Sequence, residues 1–225
     1  MGSHPLAFQL SLSTRENNHK FFSSFKKGLI DFSNDYNIGL TGGDLVRGQY
    51  QVSVTVIGKQ HSKILHRNNS SVGDILCLSG QLGNGLLGMQ NFKKFKRKNN
   101  VSSAYLKPKA LIDYGKTIAD FASSAIDISD GFIQDLGHLS KASNLGFELS
   151  SSSIPYNSNL SLKQCLNCGD DYQLIFTVPK KNIQSLTKKM RKKKFQIYEV
   201  GKSIKTKNIF LDGKITLLNK GYKHF

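Results

Sequence analysis

Residues 127–131 read Asp-Ile-Ser-Asp-Gly and follow directly on the apolar run 121–126. A short apolar run predicts a buried strand, so Asp127, Ser129 and Asp130 emerge together where that strand ends. The glycine and the helical spacing of apolar residues over 132–139 then predict a helix, whose first N–H groups favour anions. Two carboxylates beside such a turn suit a metal–phosphate site, although an Asp/Ser helix cap with a solvated neighbour would have the same five residues.

Two further acidic stretches point to the same chemistry. Residues 38–41 predict a strand that ends in Gly42, Gly43 and Asp44, where glycines permit close backbone approach to a phosphate. Residues 169–172 read Gly-Asp-Asp-Tyr and stand just before the apolar run 174–178. Oxygen ligands without a His/Cys partner set indicate magnesium rather than zinc, and magnesium indicates nucleotide phosphates. Three such stretches predict a magnesium–nucleotide site.

The chain resembles the thiamine-monophosphate kinases, which belong to the aminoimidazole ribonucleotide synthetase-like family. The segments that carry the resemblance are 1–8, 42–48, 67–73, 79–88, 125–138, 169–176 and 221–225. They span the chain in the family's order. The resemblance implies a two-domain α/β (α+β) kinase fold. It places the remnant of an N-terminal ATP-binding and dimerisation domain at residues 1–68 and a C-terminal α/β domain at residues 69–225.

The start of the chain departs from the family pattern. The family begins with a further segment that holds a Gly-Asp-Asp metal motif, a Thr-Asp pair and another Ser-Asp helix start, and the printed sequence has none of these. The N-terminal domain is therefore expected to be incomplete, as in a chain that corresponds to roughly the last three quarters of a kinase. Residues 1–4, Met-Gly-Ser-His, also fit an expression-tag scar. The alternation of Leu6, Phe8, Leu10 and Leu12 favours a strand instead.

The resemblance also implies roles for individual residues. Magnesium is the expected metal, and ATP is the expected co-substrate. The positions that match metal ligands are Asp44, Asp127 and Asp130, and those that match ATP contacts are Gly43, Asp44, Arg67 and Ser129. Arg67 suits bidentate phosphate binding, and a surface cation is the alternative.

Asp170 and Tyr222 match substrate positions, since an acidic group can meet the cationic thiamine and a ring can stack on it. Tyr222 stands close to the C-terminus, where fraying is the ordinary expectation. Two departures bear on this part of the site: Cys168 stands where the family usually has Gly, and Gln173 where it usually has Glu.

The implied reaction is transfer of the ATP γ-phosphoryl group to the phosphate of thiamine monophosphate, which gives thiamine diphosphate. A phosphate oxygen is already anionic near neutral pH, so no general base and no catalytic side chain of that kind is expected. The alternative is an inactive truncated remnant that only binds nucleotide or a partner.

Other functions have weaker support in the sequence. Residues 83–88 form a literal G-x-G-x-x-G after a strand predicted at 75–78. No acidic residue follows about 20 positions later, which favours a tight strand-to-helix turn over a dinucleotide site. The net charge of +17 raises the possibility of nucleic-acid binding. The densest runs of Lys and Arg, at 93–98 and 188–194, have the pattern of solvent-exposed faces. Cys165 and Cys168 form a Cys-x-x-Cys pair, for which two thiols beside a turn is the favoured interpretation over a metal or redox role.

Length and composition are compatible with a soluble enzyme, and the cysteines fit the cytoplasm. The three cysteines lack a disulfide framework, and no apolar run reaches the roughly 18 residues of a membrane span. Periodicity predicts a strand over 5–12, a helix of about 20 residues from Asn17, and a strand at 52–56 that buries one face. A homodimer is expected from the family. A hinge is predicted near 68–73, followed by a second α/β layer.

Overall fold

The computed structural model describes residues 2–61 and 63–216. Contacts divide the chain into two compact units. The smaller unit is Ser3–His61, and the larger consists of Gly2 and the described residues from 63 onward. Among the described residues, no helix combines the length and the hydropathy that crossing a bilayer requires.

The smaller unit is a three-stranded sheet with one helix. Its elements in chain order are β1 (Ser3–Thr14), α1 (His19–Tyr36), β2 (Gly39–Arg47) and β3 (Gln51–Gln60). Strand β1 is central, parallel to β2 and antiparallel to β3. The predicted strand and helix are confirmed. The helix begins where the Asn18 side chain accepts the Phe21 N–H and ends at Asn37, which is left-handed.

Strand β2 corrects one prediction. The strand does not end at residue 41 but continues through both glycines to Arg47. Its register against β1 pairs Phe8 with Leu40 and Gln9 with Gly42, so one residue bulges out between them. A Cβ on Gly43 would lie 1.7 Å from the Leu10 carbonyl oxygen. Glycine is therefore required here by the neighbouring strand.

Strand β3 differs from the prediction of a strand that buries one face. The chain by itself does not bury the predicted face, because all ten residues of β3 are exposed, whereas the predicted antiparallel pairing is present. Val54 is 52 % exposed although it pairs with Leu10 on the face that also holds Phe8. The Phe8 ring is buried against Phe32 of α1, at a centroid distance of 5.7 Å. Within Ser3–His61, α1 packs on β1 and leaves Val52, Val54 and Val56 of β3 exposed to solvent.

The larger unit contains a seven-stranded mixed sheet. Its strands are β4 (Ile75–Leu78), β5 (Ser124–Asp127), β6 (Gly146–Leu149), β7 (Leu174–Val178), β8 (Tyr198–Ile204), β9 (Ile209–Leu211) and β10 (Lys214–Ile215). They stand in the order β10-β9-β6-β8-β4-β7-β5. Its helices are α2 (Asn84–Phe95), α3 (Ser103–Leu106), α4 (Ile112–Ala119), α5 (Phe132–Ser143), α6 (Leu162–Asn167) and α7 (Ile183–Lys192). The strands predicted at 75–78 and up to 127, and the helix after 131, are confirmed.

The sheet is covered by apolar cores on both faces at β4, β5 and β7. In β4, Leu76 and Leu78 belong to the core beneath α5 and α6, whereas Cys77 between them belongs to the core beneath α4 and α7. Because side chains alternate between the faces, a strand covered on both sides reads as a continuous apolar run. This explains why the sequence reveals β4 and β7, in which every residue but Thr177 is apolar.

Antiparallel pairing brings distant segments to one end of this sheet. Asp127, the last residue of β5, pairs with Leu174, the first of β7, and Leu78 at the end of β4 pairs with Ile175. The segments after β5, after β4 and before β7 therefore lie side by side. We call this edge the site end.

Both basic runs lie at the surface. Residues 93–98 are exposed at the end of α2, and the cations between 188 and 194 are exposed on and just after α7. Helix α7 buries Leu186 and Met190 on its other side. The prediction of solvated faces is confirmed.

Candidate active site at the end of the large sheet

The segment after β5 and the segment before β7 are joined beyond the strands themselves. The Ile128 N–H donates to the Gln173 carbonyl (2.8 Å), and the Tyr172 N–H donates to the Ile128 carbonyl (2.9 Å). One step further, the Asp170 N–H donates to the Ser129 carbonyl (3.0 Å). A Cβ on Gly169 would lie 2.1 Å from that same oxygen, so only glycine allows this approach. The two motifs named from the sequence thus form one contiguous structure.

An internal carboxylate holds the turn at 129–131. Oδ2 of Asp135 accepts the backbone N–H groups of Ser129 (3.0 Å), Asp130 (3.0 Å) and Gly131 (3.1 Å). Burial raises the pKa of Asp135, and the N–H donors act against that shift. The expectation that the N–H groups of this turn await a phosphate needs correction, since Asp135 already takes these three donors.

A second internal carboxylate closes the glycine-rich turn after β4. Asp171 Oδ2 accepts the Gly83 N–H (2.7 Å) and Oδ1 accepts the Gly85 N–H (2.9 Å). Gly83 has φ of +91° and is the N-cap of α2, and a Cβ on Gly88 would lie 2.9 Å from the Tyr105 Cβ. The glycines therefore serve a tight turn and close packing. The structural interpretation of the G-x-G-x-x-G pattern is confirmed, because Asp171 occupies the donors that a pyrophosphate would use.

The backbone at Asp170 and Tyr172 is strained. Their φ angles are +62° and +49°, in the left-handed region that costs a non-glycine residue about 1–2 kcal/mol. The Tyr172 hydroxyl donates to Asp170 Oδ1 at 3.1 Å. Burial and the neighbouring Asp170 raise the pKa of Tyr172. Such strain persists where the surroundings over-determine it, and it concentrates at functional sites.

The two carboxylates of the opening motif differ in how firmly they are held. The Asp130 carboxylate accepts long hydrogen bonds from the Ser129 hydroxyl (3.4 Å) and the Gln134 amide (3.3 Å). Asp127 is half-buried, and its carboxylate takes part in no hydrogen bond to the residues that the structure describes. Its oxygens are therefore available to a ligand.

Asp130 also belongs to a cluster with Asp135 and His138 that could hold a metal ion. Ligand atoms of Asp130, Asp135 and His138 all lie within 4.8 Å of one another. Since Asp135 Oδ2 already accepts three N–H groups, Asp130 is the member of this trio that is better placed to bind a cation.

Arg67 lies on a segment that runs along β5. The Ala125 N–H donates to the His66 carbonyl (3.2 Å), and the Ser143 hydroxyl donates to the Arg67 carbonyl (2.7 Å). The Arg67 residue itself is exposed. A ring of hydroxyls then anchors Ser70, whose Oγ lies 2.6 Å from Ser124 Oγ.

The remaining predicted site residues belong to the smaller unit or fall outside the described residues. Gly43 and Asp44 belong to the smaller unit, where Asp44 Oδ1 accepts the Leu45 N–H at 2.9 Å. Tyr222 falls outside the described residues. The structure thus brings together Asp127, Ser129, Asp130 and Asp170 at the site end.

Two family descriptions match the chain. Residues 1–60 match the N-terminal domain of AIR synthase related proteins, and residues 71–214 match the C-terminal domain of the same proteins.

Curated relatives narrow the family. The thiamine-monophosphate kinase of Buchnera aphidicola subsp. Schizaphis graminum is 32% identical over 244 aligned residues, which cover 100% of this chain and 76% of the relative. The thiamine-monophosphate kinase of Escherichia coli K12 is also 32% identical, over 100% of this chain and 75% of its own length. The chain belongs to the thiamine-monophosphate kinase family. Its fold is accordingly the mixed α/β fold of the AIR synthase related proteins.

Solved structures agree with membership of the thiamine-monophosphate kinase family. The crystal structure of thiamine-monophosphate kinase from Stenotrophomonas maltophilia K279a superposes with a TM-score of 0.87 at 25% identity, covering 96% of this chain and 74% of that one. A structure of AaThiL complexed with AMPPCP and TMP gives the same TM-score at 26% identity, covering 100% and 75%.

The two departures from the thiamine-monophosphate kinase pattern are both accommodated. Cys168 has an extended backbone, with φ of −89°, so the position does not require glycine. Its Sγ lies 3.6 Å from the Cys165 carbonyl oxygen, and burial raises the pKa of Cys168 to about 12, which suits a packed thiol. Oε1 of Gln173 accepts the Ser79 hydroxyl at 2.7 Å, a contact that a carboxylate oxygen would also make.

Sequence reasoning missed the supporting roles of Asp135 and Asp171. Asp135 had a local signal, since it stands four residues after Gly131 in the first turn of α5. Asp171 had none, because its partners Gly83 and Gly85 are 88 and 86 residues away along the chain.

Proposed function

We propose that this chain phosphorylates thiamine monophosphate with ATP to give thiamine diphosphate. The observation that carries the proposal is the convergence of Asp127, Ser129, Asp130 and Asp170 at the site end, in a member of the thiamine-monophosphate kinase family. AaThiL has been solved with AMPPCP and TMP, which supports both an ATP-like ligand and TMP for a related protein.

The proposed chemistry is in-line transfer of the γ-phosphoryl group to a phosphate oxygen of thiamine monophosphate. The P–O bond to the β-phosphate breaks, a new P–O bond forms, and ADP leaves. Because the attacking oxygen is already anionic, the protein's task is to position the two phosphates and reduce their repulsion. The carboxylates of the site end are anions, so they would serve this task by holding cations beside the phosphates, and the Asp130 carboxylate is bound only by long hydrogen bonds that leave it free to do so.

Magnesium fits the side chains that are present. Asp127 has a half-buried carboxylate without a hydrogen-bond partner among the described residues, and Asp130 is only loosely held. Hard oxygen donors of this kind suit Mg²⁺. We assign Asp127 and Asp130 as ligands, with Asp44 of the smaller unit as a further ligand by family resemblance. When bound, magnesium would neutralise charge on the transferred phosphate.

ATP and substrate contacts follow the family positions. We assign Gly43, Asp44, Arg67 and Ser129 to ATP. Asp170 is assigned to the thiamine end, where the carboxylate can meet the cationic ring, and Tyr222 is retained there as a proposal.

We further propose a homodimer, domains at residues 1–68 and 69–225, and a cytoplasmic location. The dimer is supported by the apolar residues that the smaller sheet leaves exposed, including Leu45 at 58 % and Val56 at 60 %. A division into two domains is supported by the two compact units, although residues 63–68 belong to the larger of them. Three free cysteines fit a reducing compartment.

Ligand-induced stabilisation tests the proposed site. Mg-AMPPCP should raise the melting temperature of the wild-type chain, and thiamine monophosphate should add to that rise. Asp127→Asn should abolish the magnesium-dependent part while leaving the unliganded melting temperature nearly unchanged, because Asp127 makes no internal hydrogen bond among the described residues. An equal magnesium-dependent rise in wild type and variant would contradict the assignment. Stabilisation by both ligands without turnover would leave an inactive chain that only binds.

A further inference from the structure

Asp171 joins two segments that are remote in sequence. Its backbone belongs to the turn 168–172, and its buried carboxylate receives the N–H groups of Gly83 and Gly85 from the turn that begins α2. A bidentate, charge-assisted contact of this kind fixes orientation as well as distance. The first turn of α2 and the turn 168–172 are therefore held as one body.

The same contact sets the position of the neighbouring backbone. A Cβ on Gly85 would lie 2.3 Å from the Asp170 carbonyl oxygen, so the two main chains are in direct contact. Asp170 and Tyr172, on either side of Asp171, are both left-handed. A strained turn relaxes unless something restrains it, and Asp171 is the side chain within this turn that reaches across to the glycine pair.

The turn 129–131 is bonded to the turn 168–172 through the Ser129 carbonyl, but its own N–H groups have a different acceptor. Its three N–H groups donate to Asp135, which belongs to α5 rather than to the 168–172 turn. Two buried carboxylates thus restrain two different parts of the site end. Asp135 restrains the part that carries Ser129 and Asp130, and Asp171 restrains the part that carries Asp170.

We propose that Asp171 is a positioning residue that sets the thiamine-phosphate side of the site through its hold on Gly83 and Gly85. It does not touch the substrate; it fixes the conformation in which Asp170 is presented. This inference rests on the proposed function, because it takes Asp170 as a substrate contact.

The test compares Asp171→Asn with the matched variant Asp135→Asn. Asparagine keeps the size of the side chain, but it offers one acceptor and turns an amide donor toward an N–H group. Dissociation constants for thiamine monophosphate and for Mg-AMPPCP are measured by calorimetry on the full chain. We expect Asp171→Asn to raise the dissociation constant of thiamine monophosphate about tenfold and that of Mg-AMPPCP less than about twofold. Asp135→Asn should instead raise the dissociation constant of Mg-AMPPCP about tenfold and that of thiamine monophosphate less than about twofold. A purely structural role would weaken both ligands alike in both variants, and that result would overturn the proposal.

Hydrogen exchange separates failure of this inference from failure of the proposed function. Asp171→Asn should speed amide exchange at residues 83–85 and 170–172 while leaving residues 129–131 as in wild type. If amide exchange at residues 83–85 is the same in Asp171→Asn as in wild type, and the wild-type chain binds both ligands, only the positioning role of Asp171 is overturned. A folded wild-type chain that binds neither ligand would overturn the proposed function, and with it the assignment of this turn to thiamine phosphate.

Discussion

The hydroxyl of Ser79 donates a hydrogen bond of 2.7 Å to Oε1 of Gln173, and its oxygen accepts the Leu174 N–H at 2.8 Å. One hydroxyl therefore links the end of β4 to the start of β7. Its acceptor is Gln173, the position at which the family resemblance implies Glu. The amide oxygen supplies the same acceptor.

Substitution of Gln173 tests whether this acceptor is what matters. Gln173→Glu keeps an acceptor for Ser79 and should change the free energy of unfolding by less than about 1 kcal/mol. Gln173→Leu leaves the hydroxyl proton without its partner and should cost about 1–3 kcal/mol. Urea unfolding of both variants measures the difference. Equal costs for Glu and Leu would show that the hydrogen bond contributes nothing.

Gly169→Ala should disrupt the contact between the two acidic motifs. The new Cβ would lie 2.1 Å from the Ser129 carbonyl oxygen, so the turn must move, at a cost of about 1–3 kcal/mol in unfolding free energy. Gly115→Ala in α4 is the matched control, because its Cβ would meet nothing closer than 3.8 Å. A helical Gly→Ala change of this kind should gain about 0.5–1 kcal/mol. Thermal unfolding that ranks the two variants in the opposite order would contradict the structure of the turn.

Much of the fold could be read from the sequence. Strands β4 and β7 are visible because both of their faces are buried and all their residues but Thr177 are apolar. In β5 the apolar signal is shorter, Ala125 and Ile126 before Asp127. Helix α1 was visible from its apolar spacing, even though it buries no residue fully. The first and third acidic motifs were placed correctly, since each adjoins one of these strands.

The remaining features of the fold and site depend on contacts between residues that are far apart in the chain, which no local sequence pattern indicates. The strand order of the larger sheet and the link from Asp171 to Gly83 join residues far apart in the chain. The Leu10 carbonyl of the adjacent strand requires glycine at position 43, a second reason for this residue beside the phosphate contact that the sequence predicts. The alternation in β3 correctly marked an apolar face but could not tell what covers it.

The cysteines should be poorly reactive in the folded protein. Burial, then the neighbouring Asp171 and Cys165, raise the pKa of Cys168 to about 12, which leaves about one thiol in ten thousand ionised at about pH 8. Burial also raises the pKa of Cys77 and of Cys165. Alkylation by iodoacetamide at that pH should be at least about 100-fold slower than in urea-unfolded chain. Rapid native alkylation of Cys168 would contradict a packed thiol and reopen a redox role for the Cys165–Cys168 pair.

Self-association should depend on the valine face of β3. If the homodimer uses this face, Val54→Lys should shift the sedimenting species from about twice the chain mass of 25.0 kDa toward the monomer. Ser53→Lys is the control, because successive residues of a strand point to opposite faces and Ser53 is also exposed. Dissociation by Ser53→Lys alone would assign the dimer to the other face, and a monomeric wild type would remove the dimer altogether.

Turnover is the most direct test of the central claim. The purified full chain is incubated with ATP, magnesium and thiamine monophosphate, and thiamine diphosphate is quantified by chromatography, with Asp127→Asn as the matched control. We expect magnesium-dependent product with wild type and a loss of at least about 100-fold in rate with the variant, because charge neutralisation at the phosphates is worth several kcal/mol. Wild-type chain that is folded and binds both ligands yet forms no thiamine diphosphate, or equal rates in both proteins, would contradict the account.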